Sequence, residues 1–446
     1  MKSQTPPKTY RVKSFGCQMN VYDGERMGEL LSEQGITPAP EGEDADLVVL
    51  NTCHIREKAA EKVYSDIGRL SKGKTQKKAP MIAVAGCVAQ AEGEEIMARA
   101  PAVSMVVGPQ AYHRLPEMLE KAIDGKRSTD TDMPAIAKFG ALPTRKRRSP
   151  SAFLTVQEGC DKFCTYCVVP YTRGAEISRP YSDLVGEARK LIEVDAREIT
   201  LLGQNVNAWS GEDEAGRAVG LAGLIRALAQ LDGLDRIRYT TSHPNDMDDA
   251  LIEAHGEIEK LMPYLHLPVQ SGNNRVLKAM NRSHTAESYL KLLERFRAVR
   301  PDIALSGDFI VGFPGETEAE FEDTLKLVDE VRYAQAYSFK YSPRPGTPAA
   351  SMDNQIAKEV MEERLARLQD ALNRDQVAFN KSSEGKVCKV LVERKGKFDR
   401  QWLGKSPWLQ SVWFEGEAQI GDMVTARIVE GRPSSLHGEL LEPAQG

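Results

Sequence analysis

The stretch Ala152-Phe-Leu-Thr-Val-Gln-Glu-Gly-Cys-Asp-Lys-Phe-Cys-Thr-Tyr-Cys-Val168 joins a run of strand-forming residues to three closely spaced cysteines. Cys160, Cys164 and Cys167 have the spacing C-x3-C-x2-C, which puts three thiolates on one loop. Three thiolates leave a four-iron cluster one ligand short, whereas an electron carrier closes all four positions with cysteine. An iron without a protein ligand is a place where a substrate or cofactor binds. The loop therefore predicts an iron–sulfur site with an open coordination position.

The composition is that of an ordinary globular protein. Of the 446 residues, 41% are hydrophobic and 28% are charged, and no apolar run approaches the ~20 residues needed to cross a bilayer. The N-terminal residues lack the apolar core of a signal peptide, so we expect a cytoplasmic protein. In a reducing compartment the seven cysteines are expected to be metal ligands or buried thiols. The net charge of −5 means that any nucleic-acid binding must depend on local basic patches.

The segment before the cysteine loop alternates short apolar strands with helical stretches. Strands are predicted at 10–15, 47–51, 81–85 and 105–107, and helices at 21–34, 57–70 and 92–100. This alternation is typical of an α/β fold, an open parallel sheet covered by helices on both faces. The following run Thr144-Arg-Lys-Arg-Arg-Ser-Pro150 is predicted to be a basic linker, which can also contact phosphates.

The middle segment repeats a strand–helix unit six times. Strands are predicted at 152–157, 198–202, 236–240, 264–269, 306–311 and 336–341, with helices at 183–194, 221–231, 247–260, 285–299 and 317–331. Six units are too few for a closed eight-stranded barrel. We therefore expect an open, partial (β/α)6 barrel with its site at the carboxyl ends of the strands. A charged helix over 356–379 leads out of it.

The last segment has short strand candidates at 387–392, 411–414, 423–429 and 435–441, separated by glycine-containing turns. This pattern predicts a small all-β barrel. Residues 386–405 carry seven Lys or Arg side chains with Phe398 and Trp402 among them. Such interleaving suits RNA backbone contact and base stacking, although a solvated charged face over a tryptophan core gives the same pattern. The predicted domains are 8–125, 146–376 and 379–443.

Three further cysteines are far apart in the sequence but share one position. Cys17, Cys53 and Cys87 each come directly after a predicted strand. Because parallel strands end at one sheet edge, the three thiols are expected to meet in the crevice where such sheets bind ligands. Gly16 and Gly86 allow the backbone to approach a bulky group closely. Three buried hydrophobic side chains are the alternative, but it leaves the shared position unexplained. We expect a second cluster, again with three ligands.

Two glycine-bearing loops follow strands of the predicted barrel and are candidate contacts for a nucleotide-like cofactor. The first contains Gln270 and Ser271, which suit this role or equally the capping of the next helix. The second is a turn that contains Gly312, Pro314 and Gly315. Zinc is the competing interpretation of the cysteine loop, but structural zinc takes four ligands and no fourth Cys or His is near in the sequence.

Together these motifs resemble the methylthiotransferase family of radical S-adenosylmethionine (SAM) enzymes. The C-x3-C-x2-C loop with Tyr166 before its last cysteine resembles the radical SAM signature. The other segments that carry the resemblance are Gly-Cys-Gln-Met-Asn20, Asn-Thr-Cys53, Ala-Gly-Cys87, Arg173-Gly-Ala-Glu-Ile-Ser-Arg-Pro180 and Gly312-Phe-Pro-Gly-Glu-Thr317. The last segment resembles the TRAM RNA-binding domain. The resemblance covers essentially the whole chain, with no departure at a cysteine.

The resemblance implies two 4Fe–4S clusters, one on Cys160, Cys164 and Cys167 and one on Cys17, Cys53 and Cys87. The first would bind SAM and, after one-electron reduction, yield a 5′-deoxyadenosyl radical, so that no side chain is needed as a catalytic acid or base. The second would carry the sulfur, which a second SAM methylates.

Within the family, Cys-Val-Val-Pro-Tyr-Thr-Arg-Gly174 and Cys-Gln-Met-Asn-Val-Tyr-Asp23 most resemble members that act on N6-dimethylallyladenosine next to the tRNA anticodon. The resemblance implies the 2-methylthio derivative as product and two SAM per product. The implied partners are tRNA, an electron donor such as flavodoxin or ferredoxin, and a sulfur donor, with no membrane.

Alternatives of two kinds remain. Within the family, the substrate is threonylcarbamoyl-adenosine of tRNA or an aspartate of a ribosomal protein. Outside it, the protein is a non-enzymatic iron–sulfur protein that binds RNA or transfers electrons, or a zinc-dependent RNA-binding protein. Two three-cysteine sites argue against a carrier, which has no use for open irons.

Overall fold

The computed structural model describes residues 5–54, 57–72, 79–133, 137–146 and 148–441. The chain forms two compact units: the first contains Met1–Lys146, Glu158–Asp161 and Cys167–Ile177, and the second contains Arg147–Gln157, Lys162–Tyr166 and Ser178–Gly446. Arg147 of the predicted linker and Pro443 of the last predicted domain lie outside the described residues. Every helix in the described part is too short or too polar to cross a membrane.

The first unit is built on a six-stranded parallel sheet. In spatial order its strands are Thr37–Pro38, Thr9–Ser14, Leu47–Thr52, Met81–Gly86, Val103–Val107 and Ser128–Asp130. Its helices are Gln18–Glu33, Glu57–Ser71, Cys87–Glu92, Glu94–Arg99, Leu115–Ile123, Ala137–Gly140 and Val169–Arg173, with a 3-10 turn at Tyr112–Arg114. Leu47 and Val49 pack in one core cluster, and Val48 and Leu50 pack in another. Because alternate residues of a strand point to opposite faces, both faces are buried. The predicted helix-covered parallel sheet is confirmed.

Local differences from the sequence pattern have simple causes. The helix predicted over 92–100 is divided at Gly93, whose φ of +50° interrupts it. The edge strands Thr37–Pro38 and Ser128–Asp130 are only two and three residues long, too short for an apolar alternation to show.

The basic run at 145–148 is not simply a solvated linker. Arg145 is buried: its Nη2 donates to Glu25 Oε2 at 2.9 Å, and its Nε lies 3.2 Å from Glu29 Oε1. Its guanidinium also lies over the ring of Tyr22. A side chain held in this way is not available to a phosphate, so the predicted phosphate contact is wrong for Arg145.

The second unit contains the open barrel. Its six strands lie in two parallel three-stranded sheets, ordered Arg236–Tyr239, Glu198–Leu202, Ser151–Thr155 and Tyr264–His266, Ala304–Val311, Gln335–Lys340. Its helices are Tyr181–Glu193, Leu221–Ala229, Asp249–Glu257, Asn274–Ala279, Ala286–Val299 and Glu318–Val331. A parallel bridge between Ile237 and Leu261 links the two sheets. Residues of both sheets, such as Ile199 and Phe309, share one apolar core. The predicted partial (β/α)6 barrel is confirmed.

The shorter elements are the strands Gln157–Glu158, Ile177–Ser178, Ser210–Glu212 and Ala218–Gly220 and the 3-10 turns Val206–Ala208, Pro244–Asp246 and Pro348–Ser351. The long helix Lys358–Lys381 then leads to a closed five-stranded barrel. Around this barrel the strands follow the order Val387–Lys395, Gln401–Lys405, Ser411–Glu415, Leu436–Leu440 and Met423–Gly431. Its core includes Val390, Val412 and Phe414. The small all-β barrel is confirmed, although the sequence pattern does not predict Gln401–Lys405, which lies in a charged stretch.

Two buried arginines, Arg236 and Arg238, fix the small barrel to the open barrel. Each donates to two main-chain carbonyls of the small barrel at 2.8–2.9 Å. The acceptors are the carbonyls of Lys405 and Lys389 for Arg236 and those of Pro407 and Ser406 for Arg238. Glu198 Oε2 accepts from Arg238 Nε at 2.9 Å. We call these three side chains the Arg238 dock.

Candidate iron–sulfur sites

The thiols of Cys17, Cys53 and Cys87 lie at one edge of the sheet in the first unit. Cys17 directly precedes the helix Gln18–Glu33, and Cys53 directly follows the strand Leu47–Thr52. Cys87 is the first residue of its helix and follows the next strand of the sheet. The three strands are neighbours and run parallel, so their carboxyl ends coincide. The three residues therefore share the edge that the sequence predicts.

Glycines stand where the backbone passes closest to the thiols. Gly16 has φ +106°, and a Cβ added to it would lie 2.2 Å from Cys53 Cβ and 2.8 Å from Cys53 Sγ. Gly86 has φ +87°, and its Cβ would lie 2.5 Å from the carbonyl oxygen of Thr52. A side chain at either position would displace the strand ends that carry the cysteines.

The thiols of Cys17 and Cys87 differ in their tendency to ionise. A hydrogen bond from the Cys53 thiol lowers the pKa of Cys17 to about 6, although burial opposes the shift. Cys17 Sγ is also 3.2 Å from Asn20 Oδ1. Burial raises the pKa of Cys87, against an opposing effect of the Arg173 guanidinium. Since the thiolate is the form that binds metal, Cys17 is more ready than Cys87 to serve as a ligand.

A buried charge cluster, which we call the Arg173 network, lies beside these thiols in the first unit. Arg173 Nη2 donates to Asp23 Oδ2 at 2.7 Å, and Nη1 lies 3.8 Å from Glu158 Oε1. Glu158 also pairs with Lys138, and Gln110 Nε2 donates to the Arg173 carbonyl at 3.0 Å. The four charged side chains are at most 3% exposed. Two positive and two negative charges are thus buried together.

The contiguous loop is anchored in each unit by its main chain. In the first unit the Cys160 amide donates to the Gly174 carbonyl at 3.3 Å. Gly159 has φ +75°, and a Cβ there would lie 1.9 Å from the Ala175 carbonyl oxygen. Cys167 is partly exposed and stands just before the helix Val169–Arg173.

In the second unit, Cys164 is buried beside a cation. Arg282 Nη1 donates to Cys164 Sγ at 3.9 Å. The Thr165 amide donates to the Met280 carbonyl at 3.0 Å, and Asn281 Nδ2 donates to the Phe163 carbonyl at 3.0 Å. The sequence does not predict a role for Arg282, because this residue lies in none of the motifs identified in it.

Two buried histidines lie near Arg282. Burial, with Arg282 adding to it, lowers the pKa of His243 to about 2 and that of His284 to about 3. The ring centroids are 5.9 Å apart in an edge-to-face arrangement. Both imidazoles are therefore neutral at neutral pH. The one sequence signal that points to His243 is its position in Ser242-His-Pro244, shortly after the strand Arg236–Tyr239.

Gln270 and Ser271 follow the barrel strand that ends at His266. Gln270 has φ +76°, and its amide donates to the Asp308 carbonyl of the neighbouring strand at 2.9 Å. Ser271 Oγ accepts from the Asn273 amide at 3.2 Å and lies 3.4 Å from Thr324 Oγ1. The hydroxyl of Ser271 thus contacts the turn before the next helix, whose N-cap is Asn273.

Gly312, Pro314 and Gly315 form the turn that follows the next strand. The glycines have φ of +72° and +74°. The Gly312 amide donates to Glu316 Oε2 at 2.7 Å, and Glu316 pairs with Arg364 of the long helix at 2.9 Å. Both candidate cofactor loops therefore lie at carboxyl ends of adjacent barrel strands, where such barrels bind ligands.

The cysteines supply the thiolate donors that iron–sulfur clusters use. Within the described ranges, no three Cys, His, Asp or Glu side chains are arranged to hold one metal ion, and all seven cysteines are free thiols. A single zinc ion draws each sulfur to about 2.3 Å, whereas a four-iron cube is wider and separates its ligands. Three thiols framed by close-approach glycines and a buried guanidinium fit an anionic cluster.

The sheet, the open barrel and the cysteine loop define a radical SAM enzyme. The Radical SAM superfamily model matches residues 154–328, the TRAM domain model matches 381–441, and the model of Uncharacterized protein family UPF0004 matches 9–108. Membership of the radical SAM superfamily implies a 4Fe–4S cluster and SAM. A solved structure of the radical SAM methyltransferase TsrM from Kitasatospora setae covers 78% of this chain and 74% of its own, with TM-score 0.56 and 12% identity. That likeness concerns the fold alone.

Closer relatives identify the family. The tRNA-2-methylthio-N(6)-dimethylallyladenosine synthase of Erythrobacter litoralis is 79% identical over 99% of both chains. The protein of the same name from Novosphingobium aromaticivorans is 75% identical over 98% of both chains. The chain therefore belongs to the tRNA-2-methylthio-N(6)-dimethylallyladenosine synthase family.

Proposed function

We propose that this protein is a radical SAM tRNA methylthiotransferase that converts N6-dimethylallyladenosine next to the anticodon to its 2-methylthio derivative, with two SAM per product. The near-full-length identity to synthases of that name carries the proposal. It favours this substrate over threonylcarbamoyl-adenosine of tRNA and over a ribosomal-protein aspartate. It also disfavours a non-enzymatic iron–sulfur protein.

The six cysteines are proposed as ligands of two clusters. Cys160, Cys164 and Cys167 would hold the cluster that binds SAM, and Cys17, Cys53 and Cys87 would hold the second. When bound, the reduced first cluster supplies the electron for reductive cleavage of SAM, chemistry that activates an aromatic C–H bond. The protein's own part is to place the thiols on rigid strand ends, as for Cys53, and to set cations beside them, as Arg282 does for Cys164.

Gln270, Ser271, Gly312, Pro314 and Gly315 are proposed as SAM contacts. The two loops follow adjacent strands of the open barrel, and the Gln270 amide already pairs with the neighbouring strand. Positive φ at Gln270, Gly312 and Gly315 turns the main chain sharply at the strand ends. A nucleoside ligand approaches backbone most closely at such turns.

The small barrel is proposed to bind tRNA through its first hairpin. Phe398 is 65% exposed between the strands Val387–Lys395 and Gln401–Lys405, and Lys397 Nζ lies 5.9 Å from its ring centroid. An exposed aromatic ring flanked by cations suits stacking on an unpaired base. Lys405 does not fit this role, because it is partly buried and its Nζ donates to Ser411 Oγ at 2.8 Å.

The remaining assignments follow from the reaction. Each SAM cleavage consumes an electron, so a donor such as flavodoxin or ferredoxin is required. Sulfur leaves with the product, so a sulfur donor must replace it. We propose the cytoplasm as location and 8–125, 146–376 and 379–443 as the cluster-bearing, radical SAM and RNA-binding domains.

Two matched cysteine variants test the proposal. Full-length Cys160→Ala should keep the second cluster but form no 5′-deoxyadenosine, whereas Cys53→Ala should still form 5′-deoxyadenosine and yield no methylthio product. Iron analysis and product chromatography give the result. Unchanged SAM cleavage in Cys160→Ala would contradict the assignment of the loop.

The substrate is tested in cells that lack the protein. Mass spectrometry of their tRNA nucleosides should find the dimethylallyl group retained and the methylthio group lost. Restoration by the intact chain, but not by Cys53→Ala, serves as the control. Loss of a methylthio group from threonylcarbamoyl-adenosine instead would overturn the substrate assignment.

A further inference from the structure

Arg173 has hydrogen-bonding capacity that the described part of the protein leaves unused. It is 3% exposed, and Nη2 is taken by Asp23, but Nη1 is buried and has no hydrogen-bond partner in the described residues. The amide nitrogen Nδ2 of Asn20 is also buried and has no hydrogen-bond partner in the described residues. Asn20 contacts the Cys17 thiol through its other side-chain atom, and the charge of Arg173 acts on Cys17 and Cys87. Two unused donors thus accompany the three thiols.

Leaving such groups unbonded is costly. A buried donor without a partner destabilises the fold, and more so when it is charged. Each such group therefore calls for an explanation, such as a water, an ion or a ligand that completes the bond. The sulfur atoms of an iron–sulfur cluster are anionic acceptors, and hydrogen bonds and charge near them are known to shift the cluster's reduction potential.

A purely architectural role does not account for the arrangement. Arg173 does tie the segment 167–177 to the helix that carries Asp23. The neighbouring Lys138–Glu158 pair contributes the same kind of link within the first unit. Neither link explains why Nη1 of Arg173, which is 3.8 Å from Glu158 Oε1, makes no hydrogen bond to it.

We propose that Arg173 is a positioning residue for the second cluster: it donates to a cluster sulfur and raises the reduction potential of that cluster. The proposal rests on the second cluster of the proposed function. A buried positive charge stabilises the reduced form, which carries one more electron, and the low local dielectric strengthens the effect. Removal of the charge therefore makes the cluster harder to reduce.

The test uses the full-length chain with Cys160→Ala, which leaves the second cluster alone. Iron and sulfide content are measured after reconstitution, and the midpoint potential is measured by electron paramagnetic resonance during titration with dithionite. Arg173→Met and Arg173→Gln should keep the iron and shift the potential to lower values. Arg173→Lys, which keeps the charge, should remain close to the parent. Arg145→Met, another buried arginine of the same unit, is the matched control and should leave the potential unchanged.

The outcomes separate the two hypotheses. A parent chain without iron contradicts the second cluster and hence the proposed function. Iron retained in Arg173→Met and Arg173→Gln at the parent's potential overturns the role of Arg173 alone. Iron lost from these two variants but kept in Arg173→Lys supports a requirement for the charge. Iron lost from all three, with Arg145→Met intact, shows a structural role only and also overturns the inference.

Discussion

Buried arginines occur in both units, and the two sets differ in how fully they are hydrogen-bonded. In the Arg238 dock, Arg236 and Arg238 reach four carbonyls at 2.8–2.9 Å, and none of their side-chain nitrogens is among the unpartnered buried atoms of the described residues. In the Arg173 network, Nη1 of Arg173 is among them. A saturated arginine is complete as architecture. An unsaturated one beside three thiols retains a donor, which we propose bonds to a cluster sulfur.

The acceptors explain the difference. The dock uses main-chain carbonyls, whose positions are fixed once the small barrel closes, so the protein alone satisfies both guanidinium groups. The Arg173 network uses the carboxylates of Asp23 and Glu158, and Nη1 of Arg173 is 3.8 Å from Glu158 Oε1 without a hydrogen bond to it. Removing a member should therefore have different consequences in the two places.

The largest effect is expected from Arg238→Met. It removes the close partner of buried Glu198, a loss that typically costs about 3–5 kcal/mol. We expect this decrease in the free energy of unfolding of the small barrel, followed by tryptophan fluorescence in urea, and we expect it equally with and without iron. Arg226→Met, which breaks an exposed pair with Glu257, should cost at most about 1 kcal/mol. Equal losses in the two variants would mean that the dock is not a buried pair in solution.

Gly16→Ala should have the next largest effect, since it tests how closely the thiol edge is built. The added methyl combines a clash with Cys53 and an unfavourable φ, together about 2–4 kcal/mol. Gly35→Ala is the control: its φ is +77° but nothing lies within 4 Å of the added Cβ, so we expect about 1 kcal/mol. Urea unfolding and iron per chain measure both variants. Full iron content in Gly16→Ala would show that the edge tolerates displacement.

The sequence predicts most of the fold because the decisive strands are buried on both faces. The strands Leu47–Thr52 and Met81–Gly86 are entirely buried and therefore appear as continuous apolar runs. Once those strands are assigned, the shared edge of Cys17, Cys53 and Cys87 follows from parallel topology. The exposed edge strands and the charged strand Gln401–Lys405 have no such pattern and escape prediction.

The charge network could not be predicted, because its pairs depend on tertiary structure. Arg173 and Asp23 are 150 residues apart, and no local pattern links them. The same limit explains the wrong expectation for Arg145: Lys146 and Arg148 are exposed cations, whereas Arg145 is buried against Glu25 and Glu29. Charged residues that are close in sequence can thus differ completely in burial, one being ion-paired in the core and another exposed to solvent.

Glu158→Gln tests the electrostatics of the Arg173 network. Burial raises the pKa of Glu158, but Lys138 and Arg173 outweigh it and hold the pKa below its usual value. The carboxylate therefore stabilises the fold above the unfolded pKa of about 4.3, and this stabilisation disappears as pH falls through the lower folded pKa. At pH 7 the free energy of unfolding of the Glu158→Gln variant should be about 1.5–3 kcal/mol lower than that of the parent.

The pH dependence of the free energy of unfolding is a second test of the Glu158→Gln variant. Urea unfolding between neutral pH and pH about 3 should show a smaller decrease on acidification for Glu158→Gln than for the parent. Glu117→Gln, an exposed glutamate of the same unit, should follow the parent. A parallel decrease in Glu158→Gln and the parent would mean that Glu158 does not titrate at a lowered pKa.

The smallest effect is expected from Lys397→Ala, which contrasts an exposed cation with the buried arginines. The Lys397 side chain is exposed to solvent, so its removal should change the free energy of unfolding by less than about 0.5 kcal/mol. If Lys397 contacts a phosphate, the slope of log K for tRNA against log salt should fall by about 0.7–0.9, the value for one released counterion. Lys326→Ala, an exposed lysine paired with Asp323 on a barrel helix, should leave the slope unchanged. Identical slopes in the Lys397→Ala variant and the parent would mean that the hairpin does not contact RNA. By contrast, the loss of stability in Arg238→Met should be nearly independent of salt, because salt screens buried pairs weakly.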